Sequence, residues 1–300
     1  MNLLRCILCL ALLMGAVSCP AVSAEPLKVF VSIQPQKYFV TQIAKELADV
    51  QVMVKPGASP ATYEPKPQQM AGLSAAQLYF SIGVPFENAW LKKIAAANPK
   101  MKIIPTDQGI TKIPMVEHDI HDDHDSGHHH ESDHHRGHDG LDPHIWLSPR
   151  LVEIQAGIML EALSAQDPEN QERYLTNYQK FIQRIQDLDR ELTRLFKPHQ
   201  QMRFMVFHPS WGYFAQTYGL EQMAIEIEGK DPKPSQLKEL IQQAREHRIR
   251  VIFVQPQFST RNAQIVAKEI NGQLVYADPL ALDWFENMQR VAGHFKEALR

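Results

Sequence analysis

Cysteine is nearly absent: the 300-residue chain has three, Cys6, Cys9 and Cys19, all among its first 19 positions. The rest of the chain therefore has no disulfide framework, no thiolate zinc site and no cysteine nucleophile. Any transition-metal site there must be built from imidazole and carboxylate. A charge excess is missing too. With 31 Lys and Arg against 34 Asp and Glu, nothing in the balance points to nucleic acid as a partner. No run reaches the roughly 18 apolar residues that would stay in a membrane as a spanning helix. Hydrophobic residues still make up 44% of the chain and charged residues 22%, so a packed core is expected and wholesale disorder is excluded.

Residues 1–24 read as an address. One early charge, Arg5, precedes the apolar run ILCLALLMGAV, and the small-residue site VSA ends at Ala24. This pattern predicts a secretory signal peptide and a periplasmic location. A cut before Cys19 in GAVSC would instead give a lipid anchor, although Pro20 directly after that cysteine fits it poorly.

Downstream, apolar runs alternate with helical spacing. Strands are expected at 27–33, 50–54, 78–83 and 101–107, with helices at 41–48, 67–77 and 86–99 between them. A second series places strands at 203–207, 223–227, 250–255 and 273–278, with helices at 211–218, 234–247 and 260–271 and a final helix after the last strand. Such alternation predicts parallel βαβ units with right-handed crossovers. Between the two series, Ser148 and Pro149 open a helix expected to run to 163. Tyr174, Tyr178, Phe181, Ile185, Leu188, Leu192 and Leu195 then recur every three or four positions, the stripe of one long helix over about 169–196. A coiled-coil dimer would use the same stripe, but one isolated helix in a βα chain fits packing along the protein's own body. The fold class is thus α/β: two βα lobes, each with a four-stranded parallel sheet, joined by one long rigid helix. The expected division is 1–24 signal peptide, 25–165 first lobe, 166–198 connecting helix and 199–300 second lobe.

Histidine is where the composition is unusual. Nine of the 14 His fall between positions 118 and 138, mixed with Asp and Glu and with almost nothing apolar. A stretch of that kind (117–139) cannot bury a core and is expected to be a polar loop. Three other metal-competent side chains lie on loops beyond the carboxyl ends of strands, where parallel βα folds gather ligands. His144 sits in LDPHIWLSP, His208 directly follows RFMVF, and Asp278 ends QLVYAD. A histidine after a strand is ordinarily a hydrogen-bonded loop residue; the shared topological position is what singles these three out. Trp211 and Tyr213, shortly after His208, are candidates to shield a metal from solvent. His199, His247 and His294 read as surface residues.

The segments DPHIWLSP, MVFHPSWGYFAQTYGLE and VYADPLA resemble those of the periplasmic metal-binding components of zinc and manganese ABC importers, on the zinc-uptake side. The likeness runs through lobe, His-rich loop, long helix and second lobe. It implies two lobes around one metal, held by a stiff helix that limits hinge closure, with His144, His208 and Asp278 as ligands. It also implies Zn²⁺ as cargo, a membrane permease as partner and no catalysis. A fourth ligand does not carry over. The family pattern Gly-x-x-Pro-His-x-Tyr-Glu-Pro appears here as GASPATYEP, with Ala61 in the histidine slot. Water, Glu64, Tyr63 or a histidine of the loop are the substitutes open to it, Glu64 being the better of the two side chains beside Ala61 because carboxylate is the commoner zinc donor.

Two imidazoles with few carboxylates favour Zn²⁺ over the harder Mn²⁺ or Fe²⁺. The His-rich loop fits metal capture or sensing, against the plainer reading of a low-complexity surface insertion. Two rival readings are a secreted zinc hydrolase and a metal-storage adhesin. The first lacks a His-Glu-x-x-His helix and an evident general base; the second would suit an anchor at Cys19. A monomer is expected.

Overall fold

The structure is a computed structural model that describes residues 25–115, 140–227 and 229–298. The expected signal peptide and the loop over 117–139 lie outside the described residues.

The first series forms β1 (Leu27–Val31), α1 (Gln34–Ala44), β2 (Ala48–Val52), α2 (Pro67–Gly72), β3 (Leu78–Ser81), α3 (Pro85–Ala97) and β4 (Lys102–Pro105). Its four strands are all parallel, in the order β2-β1-β3-β4. After α4 (Pro149–Gln166) and α5 (Gln171–Phe196), the second series gives β5 (Arg203–Val206), α6 (Gly212–Tyr218), β6 (Glu221–Ala224), α7 (Pro234–Glu246), β7 (Val251–Val254), α8 (Arg261–Ile270) and β8 (Gln273–Tyr276). The order β6-β5-β7-β8 repeats the first topology, again all parallel. α9 (Trp284–Ala298) closes the described chain. The α/β expectation of two four-stranded parallel sheets and a long helix is met. No described helix is long and apolar enough to cross a membrane.

Local sequence explains most boundaries. Strands β3 (LYFS) and β7 (VIFV) are buried along their whole length, as strands covered by helices on both faces must be. Five helices, α1, α2, α3, α4 and α7, carry proline in their first turn, where its fixed φ suits the helix and its missing N–H costs no bond. One expectation fails here: α1 starts at Gln34, well before the expected 41. Pro35 sits in its first turn, and the buried Gln36 accepts from the Ser32 and Ile33 amides, tying the helix to the end of β1.

The α5 stripe buries Tyr174, Phe181, Ile185, Leu188, Leu192 and Phe196. Tyr178 and Leu195 are only partly buried. A straight helix turns every 3.6 residues, so a strict seven-residue repeat drifts about 20° per heptad; by the last turn the inward position has moved from 195 to 196. This stripe lies inside one continuous apolar cluster. It runs from the first sheet through α4 and α5 to Phe204, Phe253 and Phe295, and a smaller cluster fills the other face of the second sheet. Helix α9 joins both ends of it. Trp284 meets Phe39 of α1 edge-on at 5.3 Å, and Phe295 lies 5.2 Å from Phe204 and 4.9 Å from Phe253.

Candidate metal centre

In a sheet of order 2-1-3-4, crossovers leave in opposite directions from its two central strands, and the crevice at their carboxyl ends collects ligands. In the second sheet that crevice lies between β5 and β7, and His208 stands at its edge, two residues past β5. Gln255, just past β7 and fully buried, fixes the backbone there: its Oε1 accepts from His208 N at 3.2 Å and its Nε2 donates to His208 O at 2.7 Å. The Phe258 ring stacks on the His208 imidazole, 5.0 Å between centroids.

His144 arrives from the other series, in a tight turn before α4. Its ring lies 5.3 Å from that of His208, at 69° to it. Each imidazole is held by a buried carboxylate. Asp142 Oδ1 accepts from His144 N at 2.8 Å and lies 2.7 Å from His144 Nδ1; Glu226 Oε1 lies 2.7 Å from His208 Nδ1. Asp142 is 1% exposed and Glu226 6%. A carboxylate at Nδ1 selects the neutral tautomer with its proton there, leaving the Nε2 lone pair for a metal and making it a stronger donor. An ion about 2.1 Å from each Nε2, with both facing it, sits roughly 3.2 Å from each ring centre. The observed 5.3 Å separation lies within the roughly 6.4 Å that such an ion could span.

Asp278 stands apart from this pair. Its Oδ1 accepts from Gln257 Nε2 and from Leu280 N, both at 2.9 Å. Among the described residues no three His, Cys, Asp or Glu side chains lie close enough together to hold one ion, so the carboxylate as placed does not complete a trio with the two imidazoles. The three sites are nonetheless linked: the loop after β7 that stacks Phe258 on His208 also holds Asp278 through Gln257.

The loop around Ala61 supplies little. Ala61 and Glu64 are exposed. Tyr63 is buried edge-on against Phe86 at 5.6 Å, and its hydroxyl donates to Gln69 Oε1. Gln69 in turn donates to Met53 O at 2.7 Å, so this tyrosine serves the loop's own packing. Burial raises its phenol above the usual value, which makes a phenolate ligand costlier still. Trp211 also departs from expectation, packing on Phe214 and Phe253 in the core instead of screening the site. Trp146 does lie beside it, 5.1 Å from His144, and donates through Nε1 to Pro279 O at 2.6 Å. Trp284 Nε1 donates to Trp146 O at 2.7 Å, so two indoles fasten the His144 turn to the Asp278 turn.

Sequence reasoning passed over Asp142, Glu226, Gln255 and Gln257. A signal existed for two of them: an acidic residue two places before a candidate ligand, and a lone Glu inside the apolar run MAIEI.

In the first sheet the corresponding crevice is filled from within. Glu87 accepts from Ile82 N at 3.0 Å and Gly83 N at 2.7 Å and is bonded to Ser32 Oγ, which meets Tyr79 Oη at 2.7 Å. Burial pushes the Glu87 carboxyl up to about 6. No partner in this cluster is left open to a ligand.

Comparison with known proteins agrees with this architecture. The family described as zinc-uptake complex component A, periplasmic, matches residues 29–298. The high-affinity zinc uptake system protein ZnuA of Bacillus subtilis is 30% identical over 253 residues, covering 83% of this chain and 77% of that protein. A crystal structure of ZnuA superposes with a TM-score of 0.81 at 41% identity, covering 91% of this chain and 99% of the other. A zinc-bound ZnuA with residues 138–173 deleted gives 0.79 at 40% identity, covering 91% of this chain and 98% of the other. The chain belongs to the family of periplasmic zinc-uptake components.

Proposed function

We propose that this protein captures Zn²⁺ between His144 and His208, with Asp278 as the carboxylate donor, and hands it to the permease of an ABC importer. As a member of its family, the chain is a periplasmic zinc-binding component of an ABC importer, and it is not an enzyme. The residue assignment is supported by one observation above all, two imidazoles 5.3 Å apart, each held at Nδ1 by a buried carboxylate. A pair so oriented before any ion arrives binds without first ordering its ligands, which is how tight capture is built. For Asp278, the support is that Gln257 and Leu280 engage only Oδ1. That leaves Oδ2 as the oxygen with which Asp278 would meet the ion. We further propose that residues 25–165 and 199–300 act as the two lobes around the 166–198 helix, that the exported chain begins after Ala24, and that it works as a monomer.

Zinc titration of the mature chain lacking 117–139, against a competing chelator, tests the assignment. One tight site should remain. His144→Ala and His208→Ala should each weaken it by roughly 100-fold or more, beyond what losing a group that only orients a ligand costs. Asp278→Asn should weaken it about 10-fold. Wild-type affinity in either histidine variant refutes the site.

A further inference from the structure

The short segment carrying His208 also controls the other imidazole. Residues 113–115 and 140–142, which flank the His-rich stretch, lie side by side: Met115 N donates to Gly140 O at 2.6 Å and Asp142 N to Ile113 O at 2.8 Å, around an antiparallel bridge between Pro114 and Leu141. This ribbon rests on the start of α6. Tyr213 Oη accepts from Ile113 N at 3.1 Å and donates to Asp142 O at 2.8 Å. Its phenol is pushed up to about 12, chiefly by burial, so it remains a donor throughout the neutral range. Gly212, one residue earlier, makes room for the same aspartate: a methyl there would come within 2.6 Å of Asp142 Oδ2. Gln222 holds the intervening turn rigid, accepting from Trp211 N at 3.0 Å and donating to Pro209 O at 3.1 Å.

We propose that Tyr213 is a positioning residue for zinc capture: its hydroxyl locks Asp142, and through Asp142 the His144 ring, to the segment that bears His208. The two imidazoles come from distant parts of the chain, one before α4 and one after β5, yet their spacing is then set by one brace. This inference rests on the zinc reading of His144 and His208. A loosened brace lets the His144 ring swing, so bound zinc leaves faster while the fold persists.

The test uses the mature chain with zinc as the probe, measuring affinity by chelator competition, release by chelator chase and the apo melting temperature. Tyr213→Phe keeps the ring and deletes only the hydroxyl. It should weaken zinc about 10-fold and speed release, within the 10–100-fold range for groups that orient ligands. Asp142→Asn alone should fall in the same range. Adding Tyr213→Phe to it should change affinity less than about threefold, because both act along one path. The visible bands of the cobalt-loaded protein should shift in both single variants, a readout that general loosening of the fold would not move. Gly212→Ala displaces Asp142 without touching the hydroxyl, so it serves if Tyr213→Phe folds poorly, and should act in the same direction. Unchanged zinc affinity and release in Tyr213→Phe, or full additivity with Asp142→Asn, overturns the inference. If His144→Ala abolishes capture while Tyr213→Phe and Gly212→Ala leave it intact, only the brace is rejected. If wild type itself binds no zinc, the underlying reading falls.

Discussion

Glu226 gives the sharpest test of how the site is tuned, because it touches the metal only through His208. Its Oε1 lies 2.7 Å from His208 Nδ1, and the residue is 6% exposed. A charged acceptor in so dry a setting contributes in two ways: it aims the ring, and it raises the donor strength of the opposite nitrogen. Glu226→Gln keeps an acceptor oxygen and removes the charge, so it should sit at the lower end, about 10-fold in Kd or roughly 1.4 kcal/mol. Glu226→Ala removes both effects and should approach 100-fold, about 2.7 kcal/mol. The apo protein should be little altered, since the His208 side chain is 21% exposed and water can satisfy its N–H. Chelator competition in metal-free buffer at neutral pH, paired with apo melting curves, separates the two quantities. Two results refute the reasoning: zinc affinity in Glu226→Ala equal to wild type, or a Gln variant weaker than the Ala variant.

Burial raises the Glu87 carboxyl to about 6 from its ordinary 4.5, so between those values the native state holds a proton that the unfolded chain has released. Stability should therefore fall by about 2 kcal/mol in all as pH rises from well below 4.5 to well above 6, about 1.3 kcal/mol of it between those two values, and regain it as pH is lowered again; urea unfolding across that range should show the slope in wild type and lose it in Glu87→Gln. Leu188, 2% exposed in the middle of α5, tests the shared core. Leu188→Ala should cost about 2–5 kcal/mol by leaving a cavity, read as a lowered urea midpoint with zinc affinity of the surviving folded protein unchanged.

Much of the fold was legible because its strongest signals are local. Buried strands such as LYFS and VIFV announce themselves as short apolar runs, and the α5 stripe spans about six turns. The start of α1 was missed because its first residues, QPQKY, are polar on their face while the helix is fixed by a side chain, Gln36, bonded back to β1. Of the site, His144 and His208 could be named because one stands on the approach to a helix and the other just past a strand. What orients them could not. Glu226 lies 18 residues from His208, and Tyr213 lies 71 from Asp142; contacts at that range leave no periodicity to read. Asp278 shows the same limit, since a carboxylate's place in sequence does not reveal that Gln257 and a backbone amide already hold one of its oxygens.

The apolar cluster that passes from the first sheet through α5 to the second bears on how an importer would empty this protein. Levering the two sheets apart would drag Phe39, Phe181 and Phe295 into water, an expense that docking on a permease would have to meet on every cycle. The turn carrying His144 is tied into the same oil through Ile145, Trp146 and Leu147, so opening it would carry a like cost.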